Sequence, residues 1–179
     1  MRRNALIAAL LALSGGPAAA AAERTDDIAI GAAFLQTCVQ SAPDHDAIKR
    51  GVEANPQWAP IAAPAELGLK PQGQNSSVTT WKQVIDGHEV LLVLIDDPES
   101  KSAKHNCAFV IRDERQAMWY FRSVADHLKQ YGMKLSQQDI PHWRFYKGKF
   151  ANGQPGQVEM RSRSAGLPGR DVLHLAVAY

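Results

Sequence analysis

The clearest periodicity in the chain lies between Val78 and Ile95. Two β-prone runs, 78–85 and 88–95, flank the dipeptide Asp86-Gly87, a pairing that favours a tight hairpin turn. The second run contains Val90-Leu91-Leu92-Val93-Leu94-Ile95, apolar at every position, so it is expected in the middle of a sheet covered on both sides. Asp96-Asp97-Pro98-Glu99 ends it. These four lack the ligand spacing and closing glutamate of an EF-hand and read as a solvated turn. A third strand follows, in which Cys107, Phe109 and Ile111 share one face.

Helical periodicity frames this hairpin. Over 26–40, Ile28, Ala32, Leu35 and Val39 form one stripe and Ile30, Phe34 and Cys38 another, which predicts a helix covered on more than one side. A second short helix, 43–54, is expected to start at Ser41-Ala42-Pro43-Asp44 with Pro43 in its first turn, and Asn55-Pro56 stops it. Trp58 is expected to pin the next segment to the core. Residues 59–77 read as a surface loop with one helical turn near Pro64.

The best-defined helix is 114–131, with Asp113 and Gln116 as its capping pair and Gly132 as its stop. Ala117, Phe121, Val124, Leu128 and Tyr131 make its core stripe. Trp119 projects from nearly the opposite face, beside Arg115 and Arg122, and is a candidate binding anchor.

Three alternating segments, 142–147, 157–164 and 171–179, predict half-exposed antiparallel strands. Their expected core faces carry Trp143 and Phe145, Val158 and Met160, and Leu173, Leu175, Val177 and Tyr179. The other face would show His142, Arg144, Tyr146, Glu159, Arg161, Arg163 and His174. The predicted fold class is α+β, with two N-terminal helices and one central helix packed on a largely antiparallel sheet of about six strands.

Arg2 and Arg3, an apolar run over 5–13, the breakers Ser14-Gly15-Gly16-Pro17 and the small residues Ala18, Ala20 and Ala22 spell a secretory signal peptide. Cleavage is expected between Ala22 and Glu23, which leaves one domain over 23–179 and a secreted or periplasmic location. No later run approaches the roughly 18 apolar residues of a membrane span. Loss of Arg2 and Arg3 from the 20 basic residues leaves 18 against 18 acidic, so the basic whole-chain balance gives no reason to expect nucleic acid.

An exported chain with two cysteines is expected to pair them, so Cys38 and Cys107 are read as a disulfide tying the first helix to the third strand. Neither belongs to a close Cys-x-x-Cys unit, which argues against a metal pair. A nucleophilic Cys107 helped by His105 is disfavoured, because the strand around it reads as core and burial raises a thiol's pKa.

The residual charge is uneven. Residues 134–170 hold Lys134, Arg144, Lys147, Lys149, Arg161, Arg163 and Arg170 against only Asp139 and Glu159. Arginines two apart on a strand project to one side, and a guanidinium fork suits phosphate or carboxylate. The candidate binding residues are therefore Arg144, Tyr146, Arg161, Arg163, His174 and Trp119. The expected function is a non-catalytic binding or envelope-associated protein that recognises an anionic envelope component or an acidic protein. The alternative is a small secreted hydrolase with His174 or His142 as general base and Glu159 orienting it. No Gly-x-Ser-x-Gly elbow, phosphate-binding loop or metal motif occurs, and no cofactor is expected.

Overall fold

Asp86 and Gly87 both adopt positive φ, 47° and 84°, the backbone that a two-residue type I′ hairpin turn requires. They join β2 (Ser77–Ile85) to β3 (His88–Asp96) in the register Ile85 opposite His88. The computed structural model describes residues 25–67, 73–101, 103–112, 117–139, 143–150, 152–162 and 172–179. The expected signal segment lies outside the described residues, as do Asp113, Gln116, His142 and Arg163.

The remaining strands are β1 (Ala59–Ile61), β4 (His105–Arg112), β5 (Lys134–Asp139), β6 (Trp143–Lys149), β7 (Pro155–Ser162) and β8 (Val172–Ala178). All eight form one antiparallel sheet in the order β1-β2-β3-β4-β8-β7-β6-β5. Two meanders, β1 to β4 and β5 to β8, thus meet along their last strands. The helix α3 (Ala117–Gln130) carries the chain from the centre of the sheet to its far edge. The α+β class expected from the sequence is what the chain adopts, with eight strands in place of about six. The two additions are edge strands: β1 is three residues long and contains Pro60, and β5 reads Lys-Leu-Ser-Gln-Gln-Asp, with a single apolar residue. Neither has the alternation that burial of one face imposes.

Among the described residues the long helices pack on one face of the sheet. The helix α1 (Thr25–Phe34) runs into a π-helical turn, Leu35–Val39, in which the Gln40 N–H donates to the Leu35 carbonyl at 2.8 Å. The helix α2 (His45–Ala54) is capped by Asp44, whose carboxylate accepts from the Ala47 N–H at 2.8 Å. Pro43 therefore stands before the cap and not in the first turn as expected, and the bond preceding it is cis. Gly132, at φ 73°, ends α3 and lets the Met133 N–H donate back to the Leu128 carbonyl at 3.0 Å.

The core lies between this helical layer and the sheet. Phe109 of β4 takes Phe34 and Trp58 edge-on, each at 5.6 Å between centroids, and all three rings are buried. Beside them Cys38 and Cys107 form the expected disulfide, with both residues fully buried. Val90, Leu92 and Leu94 of β3, Leu175 and Val177 of β8, and Val158 and Met160 of β7 continue the same face. The opposite face is only partly covered. Ile61 and Leu67, from the 59–67 segment, pack against a smaller cluster of Leu91, Val93, Ala108, Val110 and Ala176.

One strand faces the other way from expectation. Tyr146 pairs with Val158 and Arg144 with Met160, so Arg144 and Tyr146 hold core-side positions, and Tyr146 is only 3% exposed. Trp143, Phe145 and Lys147 take the helix-free side. The segment Trp-Arg-Phe-Tyr-Lys places aromatics on both parities, so its own alternation is ambiguous. The partner decides: Val158 and Met160 alternate cleanly with Gln157, Glu159 and Arg161, and cross-strand pairing imposes that phase on β6.

Candidate functional site

The helix-free face can be read off the register row by row. One row runs Phe145, Glu159, Ala176, Ala108, Val93, Thr80 from β6 to β2; the next runs Lys147, Gln157, Ala178, Asn106, Ile95, Val78. Bulky side chains stand on β6 and β3, while the central strands β8 and β4 carry alanines. Strands lie about 4.8 Å apart, so Phe145 and Ile95 stand on strands about 19 Å apart with a low floor between them. The result is a trough of about 330 Å³ with Phe145 and Ile95 on its sides and Ala176 and Ala178 on its floor. Its polar lining comes from Asn106, Gln157, Glu159 and, in the loop after β3, Asp97 and Ser100. Volume and mixed lining match the small end of ordinary ligand sites.

Two of the walls are held by bonds. Glu159 Oε1 accepts from Trp143 Nε1 and from Arg161 Nε, each at 2.6 Å. Trp143 stacks on Phe145 at 5.9 Å and 19°, and Lys147 Nζ stands 5.4 Å from the Phe145 centroid. On the other side the Asp97 N–H donates to the Lys104 carbonyl at 2.7 Å and its carboxylate accepts from Ser76 Oγ at 2.8 Å. A wall fixed before any ligand arrives loses little entropy on binding.

Of the residues selected from the sequence, Arg161 stands exposed on this face, tied to Glu159. Arg144 and Tyr146 are on the opposite face. His174 holds the register position across from Arg161. Trp119 lies in the first turn of α3, remote in sequence and element from the trough, and nothing is described of its side chain or that of His174. Arg163 lies outside the described residues. The strands that carry Arg144, Tyr146, Arg161 and His174 are thus those beside the trough, whose lining among the described residues has carboxylates and amides and no lysine or arginine. Phe145, Asp97, Ala176 and Ala178 were missed as a group, because only the β8–β4 pairing brings them together.

A second grouping sits at the end of the sheet, on the helix side. His45 at the start of α2 stacks on His105 at 4.7 Å and 27°, and His45 Nδ1 is 3.3 Å from the Tyr179 hydroxyl. His105 Nδ1 lies 3.1 Å from Asp96 Oδ1, close enough for an ion pair with the protonated ring though not aligned as a hydrogen bond. Burial, then the His105 ring, hold His45 below its ordinary pKa. Asp96 and Asp46 oppose that shift, and Lys49 adds slightly to it. Burial also pushes the Tyr179 phenol up, helped by Asp44 and Asp96. His45 and Tyr179 are 134 positions apart, and no local motif announces their meeting.

Among the described residues no cluster of three or more His, Cys, Asp or Glu could hold a metal, and no helix is long and apolar enough to cross a membrane. Comparison with known protein families, curated proteins and solved structures finds no match to this chain.

Proposed function

We propose that this chain is an exported, non-catalytic binding protein that holds a small ligand in the trough on the helix-free face of its sheet. The observation that carries this reading is the floor. The central strand β8 presents Ala176, packed in the smaller apolar cluster, and the half-buried Ala178 as a low floor between walls fixed by hydrogen bonds. The disulfide supports an oxidising, extracytoplasmic location. A hydrolase built on Glu159 has less support, since Trp143 and Arg161 both already bond its Oε1. An anionic partner engaging Arg161 would have to do so against the neighbouring Glu159 carboxylate.

A fragment screen by amide-detected NMR tests this. Hits are expected to shift the amides of Asn106, Ala176 and Ala178 and to vanish in Ala176→Leu, which raises the floor by a full side chain. Hits scattered over the helical face, or unaffected by that substitution, would remove the trough as the site.

A further inference from the structure

We infer that the outer edge of β5 is an interface at which two copies of this chain pair, antiparallel, into one continuous sheet. The two ends of the sheet differ. At one end β1 is three residues long, contains Pro60 and leaves the outer edge of β2 open only in short pieces on either side. At the other, β5 offers six residues without proline, and among the described residues no strand lies beyond it. Its outer row of N–H and C=O groups is a template for a further strand. Lys134 to Gln138 are all exposed, and Leu135, at 46%, is one of two large apolar side chains so exposed among the described residues.

What selects a second copy as the partner is the strand's self-complementarity, and a bulge creates it. Positions five apart on a regular strand point to opposite faces. In β5 the register slips between Leu135 and Gln137, so Ser136 is the extra residue. Lys134, across from Lys147, and Asp139, across from Trp143, therefore both hold helix-free positions. Leu135 and Gln138, across from Tyr146 and Arg144, both hold helix-side ones. Antiparallel partners must share a face, and a twofold axis perpendicular to the sheet preserves faces. With that axis through Ser136-Gln137, Lys134 of each copy meets Asp139 of the other, and Leu135 meets Gln138. The bulges then oppose each other two residues against two, which keeps the register on both sides. Within one chain Lys134 stands opposite Lys147, a like-charged pair that costs stability, and an aspartate arriving on its other side offsets it. An unrelated strand would have to supply the same charge order, which a second copy carries by construction.

One strand on each side buries less than the roughly 1,200 Å² of a standard complex, so the association is expected to be reversible and to grow with concentration. Sedimentation of the oxidised protein from about 10 μM to about 1 mM should show monomer giving way to dimer, with less dimer in raised salt. Lys134→Asp sets aspartate against aspartate at both ends of the interface, and Asp139→Lys sets lysine against lysine. Each variant alone should dimerise at least about tenfold more weakly than the native chain. An equimolar mixture of the two should recover a heterodimer, because each mismatch then becomes a pairing of lysine with aspartate. A native chain monomeric over the whole range, a dimer indifferent to both substitutions, or a mixture no more associated than its parts would overturn the proposal. Should either variant fail to fold, the native amides decide: those of Leu135 to Gln138 should shift with concentration while β1 stays unmoved, and shifts confined elsewhere would overturn it.

Discussion

Breaking the link between Cys38 and Cys107 is the perturbation whose cost follows most directly from the chain. The two residues are 69 positions apart, and closing a loop of that length removes about 4 kcal/mol of denatured-state entropy at room temperature. Both are fully buried, so replacing them by alanine also leaves small voids, at about 1 kcal/mol for each methyl-sized space. Against the roughly 5–15 kcal/mol that holds an ordinary domain folded, Cys38→Ala/Cys107→Ala should remove a large share of the stability. At about 2–4 °C per kcal/mol for a chain of this size, the melting temperature should fall by about 10–24 °C. Urea unfolding of the double variant and of the native protein, with and without reductant, measures it. The reduced native protein should fall close to the variant, since both lack the same constraint. Because Cys38 sits on the π turn after α1, hydrogen exchange in α1 should accelerate before that of β3 and β4. A loss below about 1 kcal/mol would refute the argument, because it would mean the denatured chain is already restricted across this loop.

Three other outcomes test the packing and the electrostatics. Since His45 titrates below the ordinary 6.5, the unfolded chain binds more protons than the folded one between that lowered value and 6.5. Its contribution is thus fully present above 6.5 and is lost as pH falls through that window, with His105, Asp96, Asp46, Lys49 and Tyr179 facing the ring. Melting curves between about pH 7.5 and pH 5 should show a shallower fall for His45→Gln than for the native chain; parallel curves would remove His45 from the effect. At Gly156 an added Cβ would overlap the Phe150 ring, which is buried and meets Tyr179 edge-on at 6.1 Å. Gly156→Ala should therefore cost about 1–3 kcal/mol in urea unfolding, and no loss would mean that the ring swings aside freely. Arg161→Glu, at an exposed site, should change stability by no more than about 1 kcal/mol; a collapsed melting transition would show that β7 faces the other way.

The parts of this fold legible in the sequence are those where one residue set has only one physical solution. Asp86-Gly87 between two β-prone runs must turn tightly, and an unbroken run from Val90 to Ile95 must be central, as β3 is. Two buried cysteines in a chain that reads as exported had few fates but each other. Where two solutions were nearly equal, the sequence could not choose. Trp143, Phe145 and Tyr146 can each fill a core or a wall, and what separates them is the phase of β7, a partner known only once the strands are paired. The trough belongs to the same category of information. Ala108, Ala176 and Ala178 look like filler on their own strands, spaced between Cys107 and Phe109 or among Leu175, Val177 and Tyr179. They form a floor because α3 sends the chain to the far edge and the returning meander lays β8 against β4. Charge along the segment is resolved only by pairing: counting basic residues over 134–170 registers Arg144 and Arg161 equally, although strand phase puts them on opposite faces and Glu159 pairs with the second. Net charge along a segment is a property of the sequence, whereas the charge a ligand meets is a property of register.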